Sequence, residues 1–210
     1  MYKEKIVDET RVHITLWKTS KMLQYILEQN LKYVQEEYIY ANILLLQYFT
    51  LEAFLNFLGE NIRPTIWKKE RQYFNKNAFH DRRGTLGKFW YLAEELRCEE
   101  YFDSGEGKTV YKFVEQDLKG VRDFFVHAKP EILQTESLTS QMSRPKFIEN
   151  FIDRNINLKI VNEGFSSVEL LILKFHNMAN ELEKYDINIE NPLFGPDRVL
   201  HGSSELYKHK

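Results

Sequence analysis

The stretch EEYIYANILLLQYFTLEAFLNFL, residues 36–58, decides the fold. Ile43, Leu44, Phe49, Leu51, Phe54, Leu55 and Leu58 are spread almost all round a helical wheel, and a helix apolar on every side belongs at the centre of a bundle. Asn42, Gln47, Thr50, Glu52 and Asn56 interrupt the run, so it reads as a buried core helix rather than a membrane span. Gly59 supplies a stop, and Pro64 forbids continuation.

Working outward, the same periodicity recurs on both sides. Leu16, Leu23, Ile26, Leu27 and Val34 predict a helix over about 12–34. Residues 60–83 are polar and mixed, with room for short helical pieces. Leu86, Phe89, Ala93 and Leu96 predict a helix over 85–96, and residues 103–107 (DSGEG) read as a loop. Val110, Phe113, Val114, Leu118, Val121 and Phe125 mark a fourth helix over 109–128. Ser166 and Glu169 have capping-box spacing, with Phe165 and Leu170 at the staple positions, so a last helix should open there and run to about Tyr185. Residues 136–163 form an irregular insert before it. Within them Pro145 could open a short helix, and Ile156-Asn157-Leu158-Lys159-Ile160 alternates like a strand. The tail, 186–210, reads as irregular. The expectation is an all-α bundle of about five principal helices in a single domain over 1–185.

Composition narrows the function classes. The chain has 210 residues with 29 Lys plus Arg against 31 Asp plus Glu, a net charge of −2. That balance excludes a broadly basic nucleic-acid coat but leaves room for a local basic site. Cys98 is the single cysteine, which removes any disulfide framework or Cys-rich zinc site. The start, MYKEKIVDETRVH, lacks the apolar core of a signal peptide. A soluble cytoplasmic protein with no membrane association is expected.

The sequence VRDFFVHAKP, residues 121–130, carries the candidate chemistry. Arg122 and His127 lie five residues apart, about 140° round and roughly 7.5 Å along a helix, so they can face one cleft that a second surface closes. Asp123 and His127, four apart, share a helix face, where a carboxylate can hold the imidazole's tautomer. Gly120 lies on the same stripe with Gln116. Glycine inside a helix costs about 1 kcal/mol relative to alanine, which the close approach of a partner backbone or ligand would explain. The competing reading is a histidine favoured by the dipole at a helix C-terminus, preceded by ordinary solvated charges.

These residues resemble the RNxxxH signature of HEPN domains, small helical bundles of prokaryotic toxins and defence systems. Leu51-Glu52-Ala53-Phe54-Leu55-Asn56 resembles the LEAxLN-type segment of such domains, and the helix order over about 12–185 is similar, the 136–163 insert excepted. The resemblance implies a homodimer whose two Arg122–His127 pairs meet and cleave RNA without metal or cofactor. Arg122 would hold the scissile phosphate, and His127 would act as general acid or base in attack by the 2′-hydroxyl. It also implies an antitoxin or nucleotidyltransferase-type partner. Asp123 departs from the family's usual asparagine. A non-catalytic HEPN bundle that binds a protein or nucleotide is the alternative. Glu52 and Asn56, four apart on the apolar helix, are supporting candidates. A buried carboxylate needs a partner, for which Arg122 is one choice, and a face turned to solvent is the other reading.

Other signals carry less. Gly105-Glu106-Gly107-Lys108-Thr109 fails as a phosphate loop because Phe102 stands where glycine is required. His80-Asp81-Arg82-Arg83 is a small basic cluster able to contact a phosphate backbone, or simply a solvated loop. Phe74, Phe79, Phe89 and Trp90 could stack bases, although helical spacing assigns the last two to the core. His13, His176, His201 and His209 have no metal-ligand spacing.

Overall fold

The computed structural model describes residues 3–29, 36–126, 156–182, 191–195 and 198–205. It is an all-helical bundle with one two-stranded ribbon. In chain order come β1 (Lys3–Thr10), α1 (Val12–Glu28), α2 (Glu36–Ile62), α3 (Pro64–Trp67), α4 (Glu70–Lys76), α5 (Gly84–Glu95), α6 (Glu99–Asp103) and α7 (Gly105–Phe113). A π-helical segment (Val114–Leu118), α8 (Lys119–Val126), α9 (Leu158–Glu181) and β2 (Arg198–Glu205) follow. The five longest helical runs among the described residues are 12–28, 36–62, 84–95, 105–126 and 158–181, matching the expected principal helices.

The chain divides into two compact units. The first comprises residues 1–19, 49–99 and 172–210. Phe54, Leu55 and Leu58 of α2, Ile14 and Trp17 of α1, and Phe175 of α9 are all essentially inaccessible. Each such side chain is worth roughly 1.5–3 kcal/mol of burial. Phe89 and Phe175 meet edge to face at 5.0 Å, and His13 packs against Phe54 and Phe57 at 5.4 and 5.2 Å.

Segment 60–83 is more ordered than its polarity suggests. Trp67, Tyr73, Phe74, Phe79 and Tyr91 interlock with ring centroids between 5.0 and 6.2 Å apart, which fastens α3 and α4 onto α5. Arg63 grips Glu95 with a two-pronged bond whose shortest arm is 2.7 Å. Burial, helped by the Glu95 charge, pushes the neighbouring Tyr91 hydroxyl up to about 12.

The second unit comprises residues 20–48 and 100–171. Gln47, fully buried, donates to the Val161 carbonyl at 3.0 Å. The two helices approach so closely there that a Cβ on Gly164 would lie 2.0 Å from Gln47 Oε1. Gln24 donates to Asn162 at 2.9 Å, and Lys21 lies 3.6 Å over the Phe165 ring. Burial lowers the Lys21 pKa against the opposing pull of Glu169 and Glu28.

Several boundaries differ from the sequence reading. α2 does not stop at Gly59 but runs to Ile62. The supposed loop at 103–107 is a tight helix-to-helix junction, with Ser104 between α6 and α7. α9 begins at Leu158, not at Ser166, so the insert is helical at its end, and Ile156–Ile160 is not a strand. Asn157 does the capping, its Oδ1 accepting from the Ile160 amide at 3.2 Å. Ser166 instead donates to the Asn162 carbonyl inside the helix at 3.1 Å. Residues 136–155 lie outside the described residues.

The tail is not wholly irregular either. β2 pairs antiparallel with β1 from Lys3↔Glu205 to Thr10↔Arg198. Asn191 folds the preceding turn by accepting from the Leu193 and Phe194 amides at 3.0 and 3.2 Å. The stretch Tyr38–Ile62 is long and apolar enough to cross a membrane by length and composition, and more than half of its most apolar part is buried inside the fold.

Candidate functional site

The run from Gly105 to Val126 is continuous but not uniformly α-helical. In a regular α-helix the apolar stripe through Phe113, Val114 and Val121 would also carry Asp117 inward. The π-helical segment Val114–Leu118 inserts an extra residue into that turn. Val114 and Leu118 are fully buried, and Gln116 and Asp117 turn to solvent. Gln116 therefore does not continue the stripe of Gly120 and Asp123 as α-helical spacing implies. Such π segments are frequent at functional sites. This one lies on a cleft of about 340 Å³ lined by Leu44, Gln116, Asp117, Val121, Ile156 and Ile160.

One turn further on, Asp123 collects two cations. Arg122 donates from its guanidinium to Asp123 Oδ1 at 2.9 Å, and Lys119 donates to Oδ2. The side chains of Arg122 and Asp123 are 28% and 33% exposed. Burial pushes the Asp123 carboxyl up, but hydrogen bonds and charge from Lys119 and Arg122 outweigh it and hold the pKa below its ordinary value. Lys119 is the member that sequence reasoning missed. Its position four residues before Asp123 was the available signal. Gly120 sits half-buried in the first turn of α8. His127 lies outside the described residues, and with it the expected Asp123–His127 pair.

Glu52 and Asn56 have other partners than the one considered. Glu52 accepts from Thr85 Oγ1 at 3.0 Å, and Asn56 accepts from Lys88 Nζ at 2.7 Å. Lys88 is only 5% exposed and lies 3.5 Å from Glu70 Oε1. Arg122 is thus not needed to satisfy Glu52. The two polar residues tie α2 to α5 inside the first unit and are half-buried there.

The basic cluster at 80–83 is a tight turn rather than a loose loop. Phe79 and Arg82 exchange both backbone hydrogen bonds at 2.9 Å. The two residues between them, His80 and Asp81, have φ of 47° and 61°. The His80 ring stacks on Trp90 at 4.2 Å and 12°, with Nε2 3.3 Å from Glu94. Phe74, Phe89 and Trp90 are buried core residues, so they stack no bases.

Among the described residues no group of three His, Cys, Asp or Glu side chains gathers where a metal could be held. His13 is buried against phenylalanines, and His176 lies 3.4 Å from the Asn180 amide. No protein-family model, curated protein or solved structure matches this chain.

Proposed function

We propose that the chain is a HEPN-type endoribonuclease, metal-independent and cytoplasmic, working as a homodimer in a toxin or defence setting. The observation that supports it most is the Arg122 guanidinium, partly exposed and oriented by Asp123 at 2.9 Å. A planar guanidinium held in one direction is suited to grip the two free oxygens of a phosphodiester. In the reaction the 2′-oxygen bonds to phosphorus and the bond to the 5′-oxygen breaks. A proton leaves the attacking hydroxyl and another reaches the departing oxygen, the transfers assigned to His127. Two copies would bring two such pairs to one cleft.

A second reading also has an observation behind it. Asp123 already engages both Lys119 and Arg122, so a phosphate must compete with a fixed carboxylate. That arrangement favours a non-catalytic HEPN bundle that binds an antitoxin, a nucleotidyltransferase-type protein or a nucleotide. Incubating purified protein with total RNA and a chelator, beside Arg122→Ala and His127→Ala, separates the two. Cleavage lost in both variants supports the enzyme. Identical RNA patterns for all three proteins leave the binding role, and a strict monomer by light scattering overturns the composite site.

A further inference from the structure

We infer that α4, the segment before it and the turn that follows form a binding surface for single-stranded nucleic acid, independent of Arg122 and His127. Residues 68–83 hold six Lys or Arg side chains against two carboxylates, in a chain whose net charge is −2. Lys68, Lys69, Arg71, Lys76, Arg82 and Arg83 are all exposed. Among the described residues, Lys68, Lys69, Lys76 and Arg83 have no carboxylate within 4.0 Å. The acidic members are partly spent, because Glu70 faces the buried Lys88 at 3.5 Å. Lys68, Lys69 and Arg71 line one open cleft of about 450 Å³ beside Trp67, where they outnumber the two carboxylates that share it, Glu60 and Glu70. A chain with more acids than bases that leaves Lys68, Lys69, Lys76 and Arg83 without a carboxylate neighbour on one segment presents a local site for a polyanion.

The turn selects the polyanion. His80 and Asp81 both lie in the left-handed region, where a non-glycine residue stores of order 1–3 kcal/mol, and the turn holds His80 flat on Trp90. The His80 side chain remains 36% exposed, so a nucleobase can extend the two-ring stack while the flanking cations follow the phosphates. An acidic protein surface would engage the cations, but only a nucleic acid brings a flat ring with every successive phosphate. Of the large exposed apolar side chains among the described residues, none falls within 63–95 to enter a bilayer.

The test is fluorescence anisotropy with labelled oligothymidylate and 2′-O-methyl oligouridylate of about 20 nucleotides, which a ribonuclease using the 2′-hydroxyl cannot cut. Wild-type protein should bind both, with log affinity falling linearly with log salt. The combined variant Lys68→Gln, Lys69→Gln, Lys76→Gln, Arg83→Gln should lose about tenfold or more in affinity, its salt slope shallower by about 0.7 per phosphate contact removed. His80→Ala should cost about fivefold or more, and His80→Phe should restore binding. Repeated in an Arg122→Ala background, the combined variant and His80→Ala should show the same fold losses, which reads this surface apart from the phosphate grip proposed for Arg122. The inference is overturned if the combined variant, folded by circular dichroism, binds within twofold of wild type. It is equally overturned if phosphatidylserine vesicles or polyglutamate bind and the oligonucleotides do not.

Discussion

Lys88 Nζ stands 2.7 Å from Asn56 Oδ1 and 3.5 Å from Glu70 Oε1 with only 5% of the lysine exposed. An ammonium this deep depends on its neighbours, because a charge left without partners costs more than the pair contributes. Asn56→Leu should therefore destabilise by about 1.5–3 kcal/mol, the range for a lost hydrogen bond to a charged group. Lys88→Met keeps the stem and removes the charge, so it should cost less. The double variant should recover part of the loss, with a coupling of about 0.5–3 kcal/mol in a urea-denaturation cycle. Additive single effects would mean that the two residues do not depend on each other.

A Cβ placed on Gly59 would lie 1.9 Å from the Trp67 indole. Gly59→Ala, ordinarily favourable in a helix, should instead cost about 1–3 kcal/mol through overpacking. Pairing it with Trp67→Leu makes room for the methyl group, so alanine in that background should cost much less than alone. Thermal melts of the four proteins check this, and a stabilising Gly59→Ala on its own would disprove the close approach.

The Cys98 thiol is 4% exposed. Burial, reinforced by Glu99 and opposed by Lys174, pushes its pKa up to about 12. At pH 8 its thiolate fraction is on the order of a thousandfold below that of an ordinary cysteine. Disulfide-exchange reagents should label native protein slowly and guanidinium-unfolded protein at once. Comparable rates in the two states would place the thiol in solvent.

Which parts of this fold the sequence could carry follows from the kind of signal each part uses. Ile43 to Leu58 declare a core helix because burial on several sides is written in the residues themselves: Ile43, Leu44, Tyr48, Leu51, Phe54, Leu55 and Leu58 are in the core, with the polar Gln47 and Thr50 buried beside them, whereas Leu45, Leu46, Phe49 and Phe57 are only half-buried. Gly59 misled because glycine as a stop and glycine as a site of close approach look alike until Trp67 is in place. Ser166 and Glu169 have capping spacing, but α9 starts at Leu158, capped by Asn157, because two more turns with Val161 and Phe165 could be buried. β1 and β2 were illegible because their partners lie nearly two hundred residues apart. At the candidate site, Arg122 and Asp123 could be read from spacing. The π-helical turn could not, since only packing shows that Asp117 must be turned outward.

Asp123 joins Arg122 and Lys119 into one charged group, and the last prediction separates its role from that of His127. Burial raises its pKa, but the bonds and charges of Lys119 and Arg122 win and hold it below the ordinary value. A depressed folded pKa means that this stabilisation is present above the unfolded value near 3.9 and is lost as pH falls through the folded one. The carboxyl, followed by NMR, should titrate below an ordinary aspartate, and Lys119→Gln should move it up. Asp123→Asn removes the negative charge that would compete with a phosphate but keeps a side-chain oxygen able to accept from Arg122, so on the proposed function RNA cleavage should be kept or increased, while His127→Ala abolishes it. If Asp123 also pairs with His127, the imidazole's pKa falls in the Asn variant, because a carboxylate favours the charged ring. Loss of cleavage in a well-folded Asp123→Asn protein would instead make the carboxylate itself a required part of the site.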